Sequence, residues 1–178
     1  IDTFLKFRFL SNPHFSPDGT KIAFTVSVPD RETNGYLSDL YLYDLGNKTV
    51  SRVTCAGDAK IWSWTAENTL IFPAARTASL KKEKENGTSF FYEISPSGGE
   101  ASCRASVPAS VTGIRLLPDG RYLLTIRHDN YKDTRKKSYE VFDELPFWAN
   151  GQGIVNKKRT RLAVYDPENG SCEIVTPD

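Results

Sequence analysis

The stretch from Tyr139 to Trp148 combines acidic and large aromatic side chains in an order that could bind a ligand. Asp143 and Glu144 are adjacent carboxylates, and the aromatic pair Phe147 and Trp148 follows shortly after. Two carboxylates can hold a cationic group such as a peptide amino terminus, while the rings supply an apolar platform beside it. The same rings are equally typical of side chains that pack beneath a loop or cover an open sheet end. These four residues are our candidates for contact with a substrate or another domain.

The sequence does not contain the groups that nucleophilic hydrolysis needs. A serine hydrolase requires a nucleophile, a base that accepts its proton and donors for the oxyanion, and in α/β-hydrolases the nucleophile lies in a G-x-S-x-G turn. No such pentapeptide occurs here. The two histidines, His14 and His128, stand at spacings that imply no triad, so both are expected to be structural or surface residues. We predict no catalytic residue within this chain.

Metal, cofactor and nucleic-acid sites are not indicated either. The oxygen-rich cluster at 129–133 lacks the closing Glu of a calcium loop. The Gly-Gln-Gly run at 151–153 lacks the third glycine and the following helix of a dinucleotide-binding turn. Basic residues group at 132–137 and 157–161, but no stacking aromatics interleave them, which favours a solvated surface. We therefore predict no metal, no cofactor and no nucleic-acid partner.

The composition is that of a folded and nearly neutral chain. Its 23 basic and 22 acidic residues leave a net charge of +1, which gives no general attraction to nucleic acid or to an anionic membrane. The apolar runs are far shorter than the roughly 20 residues that cross a bilayer, so no membrane association is expected. Three cysteines without C-x-x-C spacing favour a reducing compartment and hence the cytoplasm. The absence of methionine, even at the first position, favours a segment of a longer polypeptide.

An internal repeat organises the chain. The S-P-D-G turn at 16–19 leads into an apolar run, and the L-P-D-G turn at 117–120 does the same. Between them, the residues at 65–68 form a degenerate copy in which Asn68 replaces Gly, and Asn is the next-best residue for a positive φ. The copies are about 50 residues apart, close to the length of one four-stranded propeller blade. A second strand-turn-strand unit recurs within each copy, with its turn at 45–48, 96–99 and 167–170.

These repeats predict an all-β fold, a β-propeller of four-stranded antiparallel blades. About three blades are present, which makes the chain a partial propeller. The predicted domain is 1–178, with blades at about 10–55, 60–107 and 111–177. Helix has little support, and the alternating charges at 81–85 indicate an exposed loop or a single helical turn.

The segments between the second and third strands of each blade differ most from one another. They fall at 28–38, 76–88 and 128–160, the last being a long insertion in the third blade. Because strand directions alternate, all three should emerge on the face that also carries the links between blades, and we expect function to vary there. Three blades leave two open edges, through which an isolated segment could self-associate.

The motifs together resemble a known family. The turn at 16–19, the D-E-L-P-F-W run at 143–148, the N-G-Q-G run at 150–153 and the K-R-T-R-L run at 158–162 resemble the propeller of prolyl oligopeptidase family enzymes. Among these, the chain is most similar to bacterial acylaminoacyl peptidases and related dipeptidyl peptidases. The S-P-D-G turn is shared with many propellers, including translocation proteins of the TolB type. The D-E-L-P-F-W run is more specific and favours the peptidases.

This resemblance implies a function. In the family, a propeller precedes a C-terminal α/β-hydrolase domain with a serine triad, and it restricts the active site to short peptides. The chain would then be the non-catalytic, substrate-gating part of a serine peptidase acting on short or N-acylated peptides, with segment 128–160 facing the hydrolase domain. The alternative is a TolB-like propeller that serves as a protein-binding scaffold without enzymatic activity. A carbohydrate- or metal-dependent propeller enzyme would need acidic or histidine clusters repeated in every blade, and none recur.

Overall fold

A computed structural model describes residues 3–129, 147–149, 153–155 and 158–177. These residues form three four-stranded antiparallel sheets and one two-stranded sheet. The first blade contains β1 (Phe9–Phe15), β2 (Lys21–Asp30), β3 (Gly35–Asp44) and β4 (Thr49–Arg52). The second contains β5 (Ser63–Trp64), β6 (Leu70–Pro73), β7 (Ser89–Ile94) and β8 (Ser102–Val107). The predicted all-β chain of about three four-stranded blades is confirmed.

The third blade contains a separate hairpin between its second and third strands. Its four strands are β9 (Ser110–Leu116), β10 (Tyr122–Asp129), β13 (Lys158–Tyr165) and β14 (Cys172–Ile174). The hairpin consists of β11 (Phe147–Ala149) and β12 (Gly153–Val155), which pair with each other and form their own sheet. The long insertion predicted for this blade therefore includes regular structure outside the blade.

The first turn of each blade is closed by a corresponding pair of backbone hydrogen bonds, with one residue more in the first blade than in the others. Ser16 N donates to Lys21 O at 2.8 Å, and Gly19 N donates to Ser16 O at 2.8 Å. The third blade repeats this pair between Leu117 and Arg121 and between Gly120 and Leu117, and the second repeats it between Thr65 and Thr69 and between Asn68 and Thr65. The turn position has φ 69° at Gly19, 85° at Gly120 and 60° at Asn68. The prediction that Asn68 replaces a glycine in a left-handed conformation is confirmed.

Within the described residues, buried side chains form two clusters that lie on opposite sides of the second blade. Leu70 and Phe72 of β6 belong to the cluster that includes Leu40 and Leu42 of the first blade. Ile71, between them, belongs to the cluster that includes Leu124 of the third blade. Successive side chains of a strand point to opposite faces, so a sheet covered on both faces needs apolar residues at every position. This explains the uninterrupted hydrophobic run of β6.

Of the two alternatives expected at 81–85, the structure has the helical one, since these residues lie in the exposed helix α1 (Ala78–Glu85), which is longer than the single turn expected. Thr77 caps its N-terminus by accepting a hydrogen bond from Leu80 N at 3.3 Å. None of its residues is buried. Lysine and glutamate are good helix formers, and a Thr cap satisfies one of the free N–H groups at the helix start. Among the described residues, no helix is long and apolar enough to cross a membrane.

Strand directions divide the blades into two faces. The first and third strands of a blade end at tight turns, at 16–20 and 45–48 in the first blade, and we call this side the turn face. The segments between second and third strands and the links between blades lie on the opposite side, which we call the connection face.

Candidate functional site

The structure describes half of the predicted contact residues, and only in their backbone. Asp143 and Glu144 lie outside the described residues. Phe147 and Trp148 lie in β11, where they pair with Val155 and Ile154 of β12. The two aromatic residues are therefore held in a hairpin of the connection between the second and third strands of the third blade.

The link between the first two blades is held to the connection face by a buried carboxylate. Asp39 is 7% exposed and accepts hydrogen bonds from Arg52 Nη2 at 2.6 Å, Thr54 Oγ1 at 3.0 Å and Gly57 N at 3.1 Å. The hydrogen bond and the charge of Asp39 raise the pKa of the Arg52 guanidinium. A buried carboxylate is tolerated when it has a cationic partner and several donors. Asp39 therefore fixes the path of the link and places Asp58 beside the second blade.

Arg76 and Asp58 lie side by side in the wall of a cavity on the connection face. Its guanidinium lies 5.7 Å from the ring centroids of both Phe72 and Tyr92, and its Nη2 is 3.7 Å from Asp58 Oδ1. The two rings fix the position of the guanidinium, since a cation is attracted to the face of an aromatic ring. The cavity has a volume of about 740 Å³ and is lined by Ala56, Asp58, Ala75, Arg76, Lys81, Lys84 and Glu85.

A second cavity continues this surface towards the third blade. Its volume is about 290 Å³, and it shares Asp58 and Lys84 with the first cavity. Lys60 adds a further cation, while Ser89 and Ser110 add hydroxyl groups. Among the residues that line these two cavities, four cationic side chains therefore accompany two carboxylates. Such a surface can bind the carbonyl oxygens of a ligand, as well as its carboxylate or other anionic groups.

The first strands of the three blades meet and are joined in pairs by hydrogen bonds. Trp64 Nε1 of β5 donates to His14 O of β1 at 3.2 Å, and Leu116 N of β9 donates to Ser63 Oγ of β5 at 3.1 Å. Arg115 Nη2 of β9 donates to Asn12 Oδ1 of β1 at 3.0 Å.

Asn12 has an unusual backbone at this meeting point. It has a φ of 57°, and the pairing of β1 with β2 shifts register between Ser11 and His14. The Asn12 carbonyl oxygen lies 3.0 Å from His14 Nδ1. The irregular strand therefore brings the His14 ring and the Arg115 guanidinium to one residue, the first to the Asn12 carbonyl oxygen and the second to its side-chain oxygen.

The sequence provided no pattern for several of these residues. Arg76, Asn12 and Arg115 were not predicted as site residues. Asn12 and Arg115 are held by a contact between blades, and Arg76 by two rings of its own blade. His14, expected to be structural, makes an edge-to-face contact with Trp62 at 5.7 Å between centroids.

The described residues provide no metal centre. No group of three or more His, Cys, Asp or Glu side chains in the described ranges could hold an ion. Cys55, Cys103 and Cys172 are free thiols.

Comparison with known proteins places this architecture. No protein-family model matches the chain. The uncharacterized peptidase YuxL of Bacillus subtilis (strain 168) is 23% identical over 179 residues, which covers 94% of this chain and 26% of that protein. The acylaminoacyl peptidase of Pyrococcus horikoshii is 18% identical with a TM-score of 0.67, over 98% of this chain and 25% of that chain. The β-propeller domain of the Trilobed protease from Pyrococcus furiosus is 16% identical with a TM-score of 0.51, over 97% of this chain and 43% of that chain.

The chain has the fold of a peptidase propeller. The resemblance predicted from the sequence motifs is thereby confirmed, and the similarity extends over nearly the whole chain rather than over the turns alone. The chain spans about a quarter of the length of the curated relative that it matches, 26%. The fold and the peptidase resemblance are thus established for the propeller part.

Proposed function

We propose that the chain is the non-catalytic, substrate-gating part of a serine peptidase that hydrolyses short or N-acylated peptides. Its partner would be a C-terminal α/β-hydrolase domain of the same polypeptide. The similarity to a peptidase over 94% of the chain supports this proposal. So does the architecture, because the turns of the three blades are alike while the connections between their second and third strands differ.

The observation that carries the proposal is the cationic surface at Arg76. It lies on the connection face, where the hairpin β11–β12 also belongs by its place in the blade. A peptide presents carbonyl groups and a terminal carboxylate, which arginine and lysine bind, and a terminal amine, which a carboxylate binds. Asp143, Glu144, Phe147 and Trp148 would contact the substrate or the hydrolase domain on this same face.

The remaining parts of the proposal concern organisation and location. We propose that residues 1–178 act as one partial propeller domain with blades at about 10–55, 60–107 and 111–177. A strand such as β4 of the first blade pairs with β3 on one side only, and its other edge would let the isolated segment self-associate. Three free cysteines are consistent with a cytoplasmic location.

Kinetics of the full-length polypeptide test this function. Hydrolysis of N-acetylated peptides of increasing length is compared between the native enzyme and the variants Arg76→Ala, Glu144→Ala and Trp148→Ala. We expect each variant to raise KM or to shift the longest peptide accepted, with little change in kcat for the shortest substrate, because none of these residues touches the reacting bond.

Lys48→Ala is the matched control, since Lys48 is an exposed cation in a tight turn on the turn face. It should leave KM and the length limit unchanged. Variants with Glu144 and Trp148 removed that retain the native kinetic profile at every peptide length would contradict the gating role. Absence of any peptide hydrolysis by the full-length polypeptide would contradict the peptidase assignment and favour a binding scaffold.

A further inference from the structure

The cavity at the meeting point of the first strands differs in chemistry from the connection face. Its volume is about 330 Å³, at the lower end of the roughly 300–1,000 Å³ of small-molecule pockets. It lies towards the turn face, since residues flanking the first turns help to form it. Its lining is His14, Phe15, Pro17, Trp62, Ser63, Trp64, Arg115, Leu116, Leu117 and Pro118.

The two tryptophans form the closed floor of this cavity. Trp62 Nε1 donates to Thr25 Oγ1 at 2.9 Å, and Trp64 Nε1 donates to His14 O at 3.2 Å. Both side chains are nearly buried, and they pack edge to face with their ring centroids 6.4 Å apart. The accessible apolar surface of the cavity comes instead from Phe15, which is 63% exposed, and from the exposed Pro17 and Pro118.

Arg115 gives the cavity its charge. One guanidinium N–H donates to Asn12 Oδ1, and a guanidinium has five donors in a fixed planar arrangement. None of the described residues that line the cavity is a carboxylate. The acidic residues of the adjacent turns are bonded within those turns, Asp18 to Ser16 and Asp119 to Arg121. The cavity is therefore apolar with one cationic group at its wall.

Asn12 orients the His14 and Arg115 side chains of the cavity. Its side-chain oxygen accepts from Arg115, and its carbonyl oxygen is bonded to His14 Nδ1, which leaves His14 Nε2 to face other partners. A non-glycine residue with a positive φ at a strand irregularity is uncommon, and such positions often aim side chains at functional sites. The backbone distortion thus has a visible effect, because it holds an arginine and a histidine beside the apolar wall of the cavity.

We propose that this cavity binds a small monocarboxylate with an aromatic body, its ring against Phe15, Pro17 and Pro118 and its carboxylate on Arg115. Arginine binds carboxylates through paired N–H donors, and His14 Nε2 can add a third donor when the ring is protonated. Either a free aromatic acid or the C-terminal aromatic residue of a peptide has this chemistry. The site does not depend on the peptidase function, because it lies away from the connection face and requires no bond cleavage.

Calorimetric titration of the full-length polypeptide with four probes tests this proposal. The probes are phenylacetate, N-acetylphenylalanine, the neutral isostere phenylacetamide, and acetate. We expect a saturable site for one of the aromatic acids, at least about tenfold weaker binding of phenylacetamide, and no measurable binding of acetate, because both the ring and the charge are needed. Tighter binding of phenylacetate identifies a free acid as the ligand class, and tighter binding of N-acetylphenylalanine identifies a peptide C-terminus.

Three variants locate the binding. Arg115→Gln should weaken binding of the aromatic acid by about tenfold or more, as expected for loss of a charged hydrogen bond. Asn12→Gly keeps a residue that accepts the positive φ and removes the amide that orients Arg115, so it should weaken binding by a smaller factor. Arg121→Gln is the matched control, since Arg121 is an exposed arginine of the same blade whose donors go to Asp119, and it should leave affinity unchanged.

Each contrary result overturns the proposal. Failure of both aromatic acids to bind at concentrations up to about 10 mM means that the cavity takes no such ligand. Equal affinity for phenylacetamide means that no anion is recognised, and unchanged affinity in Arg115→Gln means that the acid binds elsewhere. These readouts measure binding, so they are independent of whether the polypeptide hydrolyses peptides.

Discussion

The backbone N–H of Asp18 donates to Asn68 Oδ1 at 3.1 Å, which joins the first turn of one blade to the first turn of the next. Both residues belong to copies of the same repeated motif, so the copies contact each other as well as resemble each other. Asn68 has two roles here, because its backbone adopts the left-handed conformation and its amide bridges the blades. Glycine could supply the first role but has no side chain for the second.

Replacing Asn68 by Gly should therefore destabilise the chain although the backbone conformation suits glycine. We expect a loss of about 0.5–1 kcal/mol in the free energy of unfolding, the low end for a hydrogen bond because the amide is exposed. Urea titration followed by circular dichroism measures this change.

Lys48→Gly is the comparison for the Asn68 variant. Lys48 has a φ of 55° and occupies the place that Gly170, with a φ of 73°, holds in the third blade. Relief of the left-handed strain should make this variant as stable as the native chain or more stable by up to about 1 kcal/mol. If both substitutions lowered stability equally, the bridging role of Asn68 would be wrong.

Asp39→Ala should be among the most damaging single substitutions on the connection face. It removes the acceptor of three hydrogen bonds and leaves Thr54 and Gly57 without it in a buried setting. We expect a loss of about 2–3 kcal/mol, less than for a fully buried ion pair because the Arg52 side chain is 48% exposed. Thermal unfolding measures the loss, and Glu168→Ala, which removes an exposed carboxylate of a turn, should leave the midpoint nearly unchanged.

Gly57→Ala should cost more than Gly87→Ala, and the difference isolates a contact from backbone strain. Both glycines have a positive φ, 74° and 93°, so each substitution carries a strain of about 1–2 kcal/mol. A Cβ at Gly57 would in addition lie 2.9 Å from Leu37 Cδ2, whereas at Gly87 nothing lies within 4 Å. Leu37 can rotate away, so the further loss should be small. Equal losses in chemical denaturation would show that Leu37 moves without cost.

Alkaline solution should weaken the third blade through Tyr122. Burial raises the pKa of its hydroxyl to about 12, above the ordinary value near 10. The folded state then holds the proton more tightly than the unfolded state, so this stability is complete below pH 10 and is lost as the pH rises towards 12. The thermal midpoint of the native chain should fall over this range, and Tyr122→Phe should reduce the fall. A Phe variant with the same alkaline profile would assign the loss to other groups.

The strands and turns of this chain could be predicted from the sequence because neighbouring residues determine them. A turn of Pro, Asp and Gly fixes its own backbone, and the copy with Asn68 follows the same rule. Helix α1 was expected only as an alternative of one turn, because its lysines and glutamates have no apolar face with a helical period, and the Thr77 cap was the signal for its start.

The site residues were harder to predict because the residues that position them are distant in the chain. Arg115 becomes significant by its bond to Asn12, and that contact exists only because the first strands of two blades converge. Arg76 depends on two rings from different strands of its own blade. Sequence periodicity does not predict contacts between such distant residues, whereas the run at 143–148 was selected for its aromatic and acidic composition alone.

The alternation along β6 has a consequence for how the chain fails under stress. Among the described residues, no buried side chain belongs to both hydrophobic clusters, so the two are coupled through the backbone of the second blade rather than through shared contacts. Melting of one cluster removes support from one side of that blade and leaves the other side packed. Heat or denaturant should therefore populate partly unfolded forms in which the first or the third blade has separated, instead of a single all-or-none transition.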